Sequence, residues 1–144
     1  MEADVRLNFN VLPPRTAEAL KFCSTVSLFG MPNWYLAGGT ALALQVGHRQ
    51  SVDLDFFTTE KTFESIKLER ELLSTGKWQT KFSEDGTVFG EILGAKISFI
   101  AYPFFYPALP ALEFGKVSML RPADIAVMKI IALSQRGKKR DFID

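Results

Sequence analysis

Hydrophobic and polar positions follow two periods along this chain, and the period separates predicted helices from predicted strands. Apolar residues at positions 63, 66, 68, 72 and 73 are compatible with one face of a helix. Thr16 can cap an earlier helix, and Pro122 suits the first turn of the last one. The pattern predicts four helices, over residues 16–28, 40–46, 63–73 and 122–135.

Shorter segments rich in β-branched and aromatic residues predict strands at 34–37, 52–58, 77–82, 87–93, 96–102 and 116–120. Glu84-Asp85-Gly86 and Gly94-Ala95 separate three of them and have the composition of hairpin turns. Three prolines in residues 103–115 predict a surface loop there. This order of elements predicts an α+β fold with helices packed on a mixed β-sheet.

Composition points to one domain spanning residues 1–144. Hydrophobic residues make up 47% of the chain and charged residues 23%, which suits a globular protein with a single core. A net charge of +1 gives no general reason to expect nucleic acid or a membrane surface as partner. Prolines interrupt the longest apolar stretch, 99–112, and no secretory signal precedes it, so we expect a cytoplasmic protein. The single Cys23 excludes an internal disulfide and is predicted to be a core residue.

The segment Ala37-Gly38-Gly39-Thr40 predicts a sharp turn between a buried strand and a helix. Glycines allow the turn and let a ligand approach the backbone closely. The free N–H groups at the start of the helix can bind phosphate, and Thr40 can cap the helix or offer a hydroxyl. Such a turn can also be purely structural.

Asp53 and Asp55 are two residues apart on a predicted strand, so their carboxylates should share a face. Two such anions repel by about 2.5 kcal/mol at an effective dielectric of 20, so a cation should lie between them. Hard carboxylate oxygens suit Mg²⁺ completed by substrate phosphates. Alternatively, the two acids pair with Arg49 or a lysine at the surface.

Arg49, Lys129 and the cations of 136–140 could each bind a phosphate or have only a structural role. Arg49 lies between the glycine turn and the aspartates, where it could clamp a phosphate. Lys129 is the one charge in an apolar part of the last helix, so it must reach along the surface or face a cavity. The cations of 136–140 can complement a helix end or contact phosphate. His48, the only histidine, suits a turn, and a histidine triad or metal cluster has too few members.

The residues Asp53-Leu54-Asp55-Phe56-Phe57-Thr58 also fit the signature of haloacid-dehalogenase-like phosphatases. In that class, however, the nucleophile follows a fully apolar first strand close to the N-terminus. Here the preceding residues are His48-Arg49-Gln50-Ser51-Val52, so the context argues against a phosphatase.

Two blocks resemble the AbiEii/AbiGii-type toxins, a branch of the polymerase-β-like nucleotidyltransferase superfamily. The first is Leu36-Ala37-Gly38-Gly39-Thr40-Ala41-Leu42-Ala43-Leu44 with Gly47-His48-Arg49-Gln50-Ser51-Val52-Asp53-Leu54-Asp55-Phe56-Phe57. The second comprises 124–129 and 136–144. The resemblance implies a nucleotidyltransferase fold with a mixed sheet flanked by helices, and transfer of NMP from an NTP to a hydroxyl acceptor.

The resemblance also implies roles for individual residues, as follows: Asp53, Asp55, Lys129 and Asp141 in catalysis; Gly38, Gly39, Thr40, Arg49 and Ser51 in nucleotide binding; Asp53 and Asp55 in holding Mg²⁺ or Mn²⁺. In family members with toxin activity the acceptor is tRNA or another RNA, and an antitoxin protein restrains the enzyme. Neither the preferred NTP nor the oligomeric state follows from the residues.

This chain departs from the pattern at two places. The third carboxylate of the superfamily is expected within 96–100, where the candidate position is Ser98. Glu91 on the neighbouring strand could substitute for it, but nothing in the sequence places Glu91 there. The motif near residue 144 is also shorter than in longer members, whose C-terminal portion is expected to be absent here. A catalytically silent module that binds nucleotide, RNA or a partner protein is therefore the alternative function.

Overall fold

The computed structural model of the protein describes residues 6–47 and 50–143, and for 137–143 it describes the backbone alone. The described residues form four α-helices, which are α1 (Pro14–Cys23), α2 (Gly38–Val46), α3 (Ser65–Leu73) and α4 (Pro122–Ile143). Two short 3₁₀ helices, Phe9–Val11 and Ser27–Phe29, precede the first strand. None of the described helices is long and apolar enough to cross a membrane.

A seven-stranded mixed sheet forms the centre of the described part of the chain. Its strands are β1 (Tyr35–Ala37), β2 (Leu54–Thr58), β3 (Trp78–Glu84), β4 (Thr87–Ile92), β5 (Ala95–Ala101), β6 (Leu112–Phe114) and β7 (Val117–Met119). Their order across the sheet is β3-β4-β5-β2-β1-β7-β6. Strands β2 and β5 are parallel, as are β1 and β7, whereas the remaining neighbours are antiparallel.

One face of the sheet carries the core, in which aromatic rings meet around Phe99. This ring lies 4.9 Å from the Trp34 ring, 5.4 Å from Phe56, 5.8 Å from Phe29 and 5.9 Å from Trp78, between centroids. Helices α1 and α3 pack against β5 and β3 respectively, with Leu20, Leu72 and other apolar side chains buried. Cys23 is fully buried in α1, where burial raises the pKa of its thiol, as expected for a core residue.

Alternate residues of β2, β4 and β5 point to the opposite face. Asp55 is in register with Ser98, and Ser98 is in register with Phe89, so these three side chains form one row across the sheet. Lys96 and Glu91 are also in register with each other, and each lies two residues along its strand from the Ser98–Phe89 pair. They therefore form a second row on the same face. This face is only partly covered, and the candidate site lies on it.

The structure confirms the α+β class and the mixed sheet, with corrections at element boundaries. Helix α1 ends at Cys23 and not near Leu28, because the hydroxyls of Ser24 and Thr25 donate to the carbonyls of Lys21 and Phe22. The loop predicted for 103–115 contains a strand, β6, which pairs with β7. Helix α4 runs to Ile143, past the predicted end at 135.

Candidate functional site

The turn between β1 and α2 brings a helix N-terminus against the carboxylate of Asp55. Ala37 is in register with Asp55, and Gly38 then turns the chain with φ +76°. A Cβ atom at Gly38 would lie 3.3 Å from Asp55 Oδ2, which is a tight contact. Glycine is therefore favoured here by the backbone conformation and by the closeness of the carboxylate.

Asp55 is held from the other side by β5. The Ser98 hydroxyl donates a 2.6 Å hydrogen bond to Asp55 Oδ1. Burial raises the pKa of the Asp55 carboxyl, the bond from Ser98 lowers it, and the negative charge of Asp53 raises it again. The effect of Asp53 means that the two carboxylates are close enough to repel, as the two-residue spacing predicted.

Asp53 is exposed and lies one residue before β2, whereas the sequence placed it within the strand. Its backbone carbonyl accepts a hydrogen bond from the Thr40 hydroxyl, which also bonds the Ser51 hydroxyl at 2.5 Å. Thr40 is 2% exposed. The hydroxyls of Thr40 and Ser51 thus tie α2 to the segment before β2. Because both hydroxyls are engaged in this way, the two residues can offer a phosphate their backbone N–H groups.

A cavity of about 420 Å³ opens beside this turn, between α2, β2 and α4. Gly38, Gly39 and Lys129 lie on its wall, so the helix N-terminus and one cation face the same space. The sequence predicted that Lys129 would either reach along the surface or face a cavity. Lys129 is exposed and also lines this cavity. The rest of the wall is apolar and aromatic, from Leu42, Phe57, Tyr102, Ile125, Met128 and Ala132.

Helix α4 is fixed in place beside α2 by three sets of hydrogen bonds. Gln45 Nε2 donates to the carbonyl of Leu120 at 2.7 Å, and the Leu120 N–H donates to the carbonyl of Leu36 at 2.9 Å. At the start of the helix, Asp124 Oδ2 accepts the N–H groups of Ala108 and Leu109 at 3.0 and 2.9 Å. These bonds place Lys129 opposite the glycine turn.

A second cavity, of about 610 Å³, lies on the open face of the sheet on the far side of the aspartates. Asp53, Asp55 and Ser98 line one end. Glu91, Lys81 and Lys96 line the remainder together with apolar side chains. The structure therefore places Glu91 in the same cavity as the aspartates, which the order of residues along the chain does not indicate.

Several predicted site residues remain untested by the geometry. Arg49 and His48 lie outside the described residues, as does the side chain of Asp141. Arg136 is exposed and does not line the cavity that contains Lys129.

The donor atoms of the aspartate pair fit a hard divalent cation. Asp55 Oδ2 receives no hydrogen bond from any described residue, and no described cation forms an ion pair with either carboxylate. No group of three or more His, Cys, Asp or Glu side chains suited to a metal occurs among the described residues. Mg²⁺ commonly binds through one or two carboxylates and completes its shell with substrate phosphates and water, so two aspartates suffice.

Sequence reasoning missed the residues that line the two cavities away from the motifs. Phe57 and Tyr102 flank the first cavity, with ring centroids 6.3 Å apart, while Lys81, Phe89 and Lys96 belong to the second. Side-chain alternation along a strand indicates which of its residues share a face. It did not indicate that β5 would lie next to β2.

Comparison with known proteins supports the fold and the first motif block. Residues 24–92 match the family described as "Nucleotidyl transferase AbiEii toxin, Type IV TA system", a segment that contains both the glycine turn and the aspartates. The chain also resembles the crystal structure of a Thermotoga maritima protein that is provisionally described as a nucleotidyltransferase. That similarity covers 92% of this chain and 94% of that chain, with a TM-score of 0.53 at 18% identity, and it shows the nucleotidyltransferase fold.

An uncharacterised protein from Aquifex aeolicus is 39% identical over 88% of this chain. The chain spans 62% of the length of that relative.

Proposed function

Because residues 24–92 match the AbiEii nucleotidyltransferase family and the chain has the nucleotidyltransferase fold, we propose that this protein transfers NMP from an NTP to a hydroxyl acceptor. The observation that carries the proposal is the closeness of the Asp55 carboxylate to Gly38, at the start of α2. It joins a phosphate-binding helix N-terminus to a carboxylate pair, with Lys129 facing the same space.

The first cavity is the binding site for the NTP in this proposal. The N–H groups at the start of α2, including those of Gly38 and Gly39, donate to the triphosphate, and Lys129 neutralises its charge. The apolar and aromatic wall formed with Phe57 and Tyr102 suits a base or sugar. By resemblance, Arg49 and Asp141 complete the site.

Asp53 and Asp55 are the residues that would hold Mg²⁺ or Mn²⁺. When bound, such an ion offsets the negative charge of the triphosphate and of the leaving pyrophosphate. The hydrogen bond from Ser98 fixes the orientation of the Asp55 carboxylate, and the bond from Thr40 fixes the backbone at Asp53.

The reaction places the acceptor hydroxyl in the second cavity, on the other side of Asp55. The hydroxyl oxygen attacks the α-phosphorus, and the bond from that phosphorus to the bridging oxygen of the β-phosphate breaks, so pyrophosphate leaves. Of the described carboxylates in this cavity, Glu91 is the one not assigned to the cation, and it accepts the proton of the hydroxyl.

A calorimetric titration of each of the four NTPs, with and without Mg²⁺, tests the proposal. We expect one or more NTPs to bind the wild-type protein only when Mg²⁺ is present. The double variant Asp53→Asn/Asp55→Asn should lose this binding, because it removes the proposed ligands while it retains the shape of both side chains.

The matched control is Glu60→Gln/Glu71→Gln, which removes two exposed carboxylates that line a different cavity. This variant should bind NTP as the wild type does. Equal binding by the aspartate variant and the wild type would contradict the proposal, as would a well-folded wild-type protein that binds no NTP.

The presence of Ser98 favours a second candidate function. It occupies the position in register with Asp55 at which the superfamily carries its third carboxylate, and it donates a hydrogen bond instead of providing an anion. A silent module that binds RNA or a partner such as an antitoxin would tolerate this change. If Ser98→Asp creates transfer activity that the wild type lacks, the wild-type protein is an enzyme that has lost its activity, and the proposed transfer function is contradicted.

A further inference from the structure

The outer face of helix α3 exposes two large apolar side chains. Ile66 is 70% exposed and Leu73 is 58% exposed. They are seven residues apart, which is two helical turns, so they lie on the same face about 10 Å apart along the axis. Glu69 and Arg70 lie between them, and the four side chains line a shallow depression of about 320 Å³. Exposed apolar groups with a charged centre are typical of a surface that meets a partner.

The two central charges have no oppositely charged neighbour at helical spacing. Side chains three or four positions apart can meet on a helix, whereas consecutive ones do not face each other. None of the residues at those distances from Glu69 is basic, and none from Arg70 is acidic. Lys67, in contrast, has Glu64 three positions before it and Glu71 four positions after it. The helix therefore satisfies its other charges but leaves this pair for something outside it.

The four side chains are arranged symmetrically about the midpoint between residues 69 and 70. Ile66 and Leu73 lie equally far from this midpoint, and so do Glu69 and Arg70. A second copy can approach with its α3 antiparallel and a two-fold axis through the midpoint. Ile66 then faces Leu73 of the second copy, and Glu69 faces its Arg70. Every apolar group meets an apolar group and every charge meets its opposite, so the surface is complementary to itself.

The other exposed apolar helix face lacks this property. Ile130 on α4 is 65% exposed, similar to Ile66. Apart from the buried Asp124, however, the charged side chains that the structure describes in α4 are the cations Lys129 and Arg136. A second α4 would bring like charges together, which disfavours association.

The position and length of α3 define the kind of contact it can make. Helix α3 packs on the core side of the sheet, and none of its residues lines either candidate cavity, so pairing would leave both cavities open. The helix has nine residues, a length of about 13 Å. A contact of that length buries less than the roughly 1,200 Å² of stable complexes, so the association should be weak and reversible.

We propose that α3 joins two copies of this protein in a weak dimer with two-fold symmetry, through Ile66, Glu69, Arg70 and Leu73. Contact between Ile66 and Leu73 removes apolar surface from water. The two reciprocal pairs of Glu69 with Arg70 fix the register of the helices. The dimer does not depend on nucleotide transfer.

Sedimentation velocity tests the proposal at protein concentrations from about 10 µM to about 1 mM, the range of weak complexes. The weight-average sedimentation coefficient of the wild type should rise with concentration. Ile66→Gln and Leu73→Gln should each raise the dissociation constant about 10-fold or more, because each change occurs twice in the dimer. Both side chains are exposed in the monomer, so the melting temperature at low concentration should stay near that of the wild type.

The matched control is Ile130→Gln, which changes an equally exposed isoleucine on a different helix. It should dimerise as the wild type does. Loss of the dimer in Ile130→Gln, with full association in Ile66→Gln, overturns the proposal.

Exchange of the two charges tests the two-fold arrangement itself. Glu69→Arg alone and Arg70→Glu alone each place like charges opposite each other, so neither variant should dimerise. A mixture of the two variants should dimerise, because one copy presents two cations and the other two anions. The double variant Glu69→Arg/Arg70→Glu should also dimerise, since its charges are again opposite.

A mixture of the two single charge variants that stays monomeric overturns the proposal. So does a wild-type protein that stays monomeric over the whole concentration range, or one that associates through α3 only with a different protein.

Discussion

At the scale of single residues, the site centres on the two oxygens of Asp55. One accepts the Ser98 hydroxyl, and the other lies against the backbone of Gly38, where a side chain would crowd it. The carboxyl is partly buried, and burial together with Asp53 raises its pKa despite the bond from Ser98. The folded protein therefore holds this proton more tightly than the unfolded chain does, which makes ionised Asp55 a destabilising group.

We expect Asp55→Asn to stabilise the protein relative to wild type, with a gain that depends on pH. Below the ordinary pKa of an aspartate, both proteins carry a neutral group and the difference in unfolding free energy is small. The difference grows as pH rises from that value through the raised pKa, and it is constant above it. Urea denaturation between about pH 3 and pH 8 measures it. A difference that shrinks with rising pH would contradict the assigned direction of the shift.

At the scale of elements, the unit formed by β1, the glycine turn and α2 positions the site. Gly38 has a positive φ in this turn, and the Asp55 carboxylate lies close to it. Both features disfavour a side chain at position 38. The Thr40 hydroxyl then holds the entry to β2 through Ser51 and the Asp53 carbonyl. The start of α2 and the segment that carries the aspartates are thus held together.

Replacement of Gly38 by Ala should destabilise the protein by more than the same change at Gly76. Both glycines have positive φ, +76° and +79°, so each substitution costs about 1–2 kcal/mol in backbone strain. A Cβ at Gly76 meets nothing within 4 Å, whereas one at Gly38 crowds Asp55 Oδ2. Chemical denaturation of both variants measures the difference, and equal costs would show that the contact with Asp55 is unimportant.

The helices, strands and turns that depend on local sequence could be predicted, but the order in which the strands pair across the sheet could not. The turn before α2 follows from two glycines, and the six predicted strands follow from their content of β-branched and aromatic residues. Strand β6 was missed because its three residues follow closely spaced prolines, where local composition indicates a loop. Glu91 and Phe89 were not placed in the site because their position depends on the pairing of β5 with β2, which links residues about 40 apart along the chain.

At the scale of the whole molecule, one aromatic cluster stabilises the sheet and the helices that pack on it. Phe99 contacts rings from β2, from β3 and from the segment before β1. It is fully buried. The open face opposite carries the site, so the side chains that stabilise the fold and those proposed to act in it lie on opposite sides of the same strands.

Phe99→Ala should therefore cost about 3–5 kcal/mol of unfolding free energy, through lost burial and the cavity left behind. This is a large part of the stability of a typical domain. Denaturation followed by tryptophan fluorescence is suitable, because Trp34 and Trp78 both contact this ring. Phe104→Ala, at a ring that is 55% exposed, should cost about 0.5 kcal/mol or less. Similar costs for the two variants would contradict the central role of Phe99.

The pairing of β1 with β7 has a consequence for the protein during its synthesis. Strand β1 and the glycine turn leave the ribosome early, but β7 and α4 follow them by about 80 residues of chain. Until Lys129 emerges, the cavity next to Gly38 lacks both its cation and one of its walls. A nascent chain therefore cannot complete this cavity before the last helix has been synthesised.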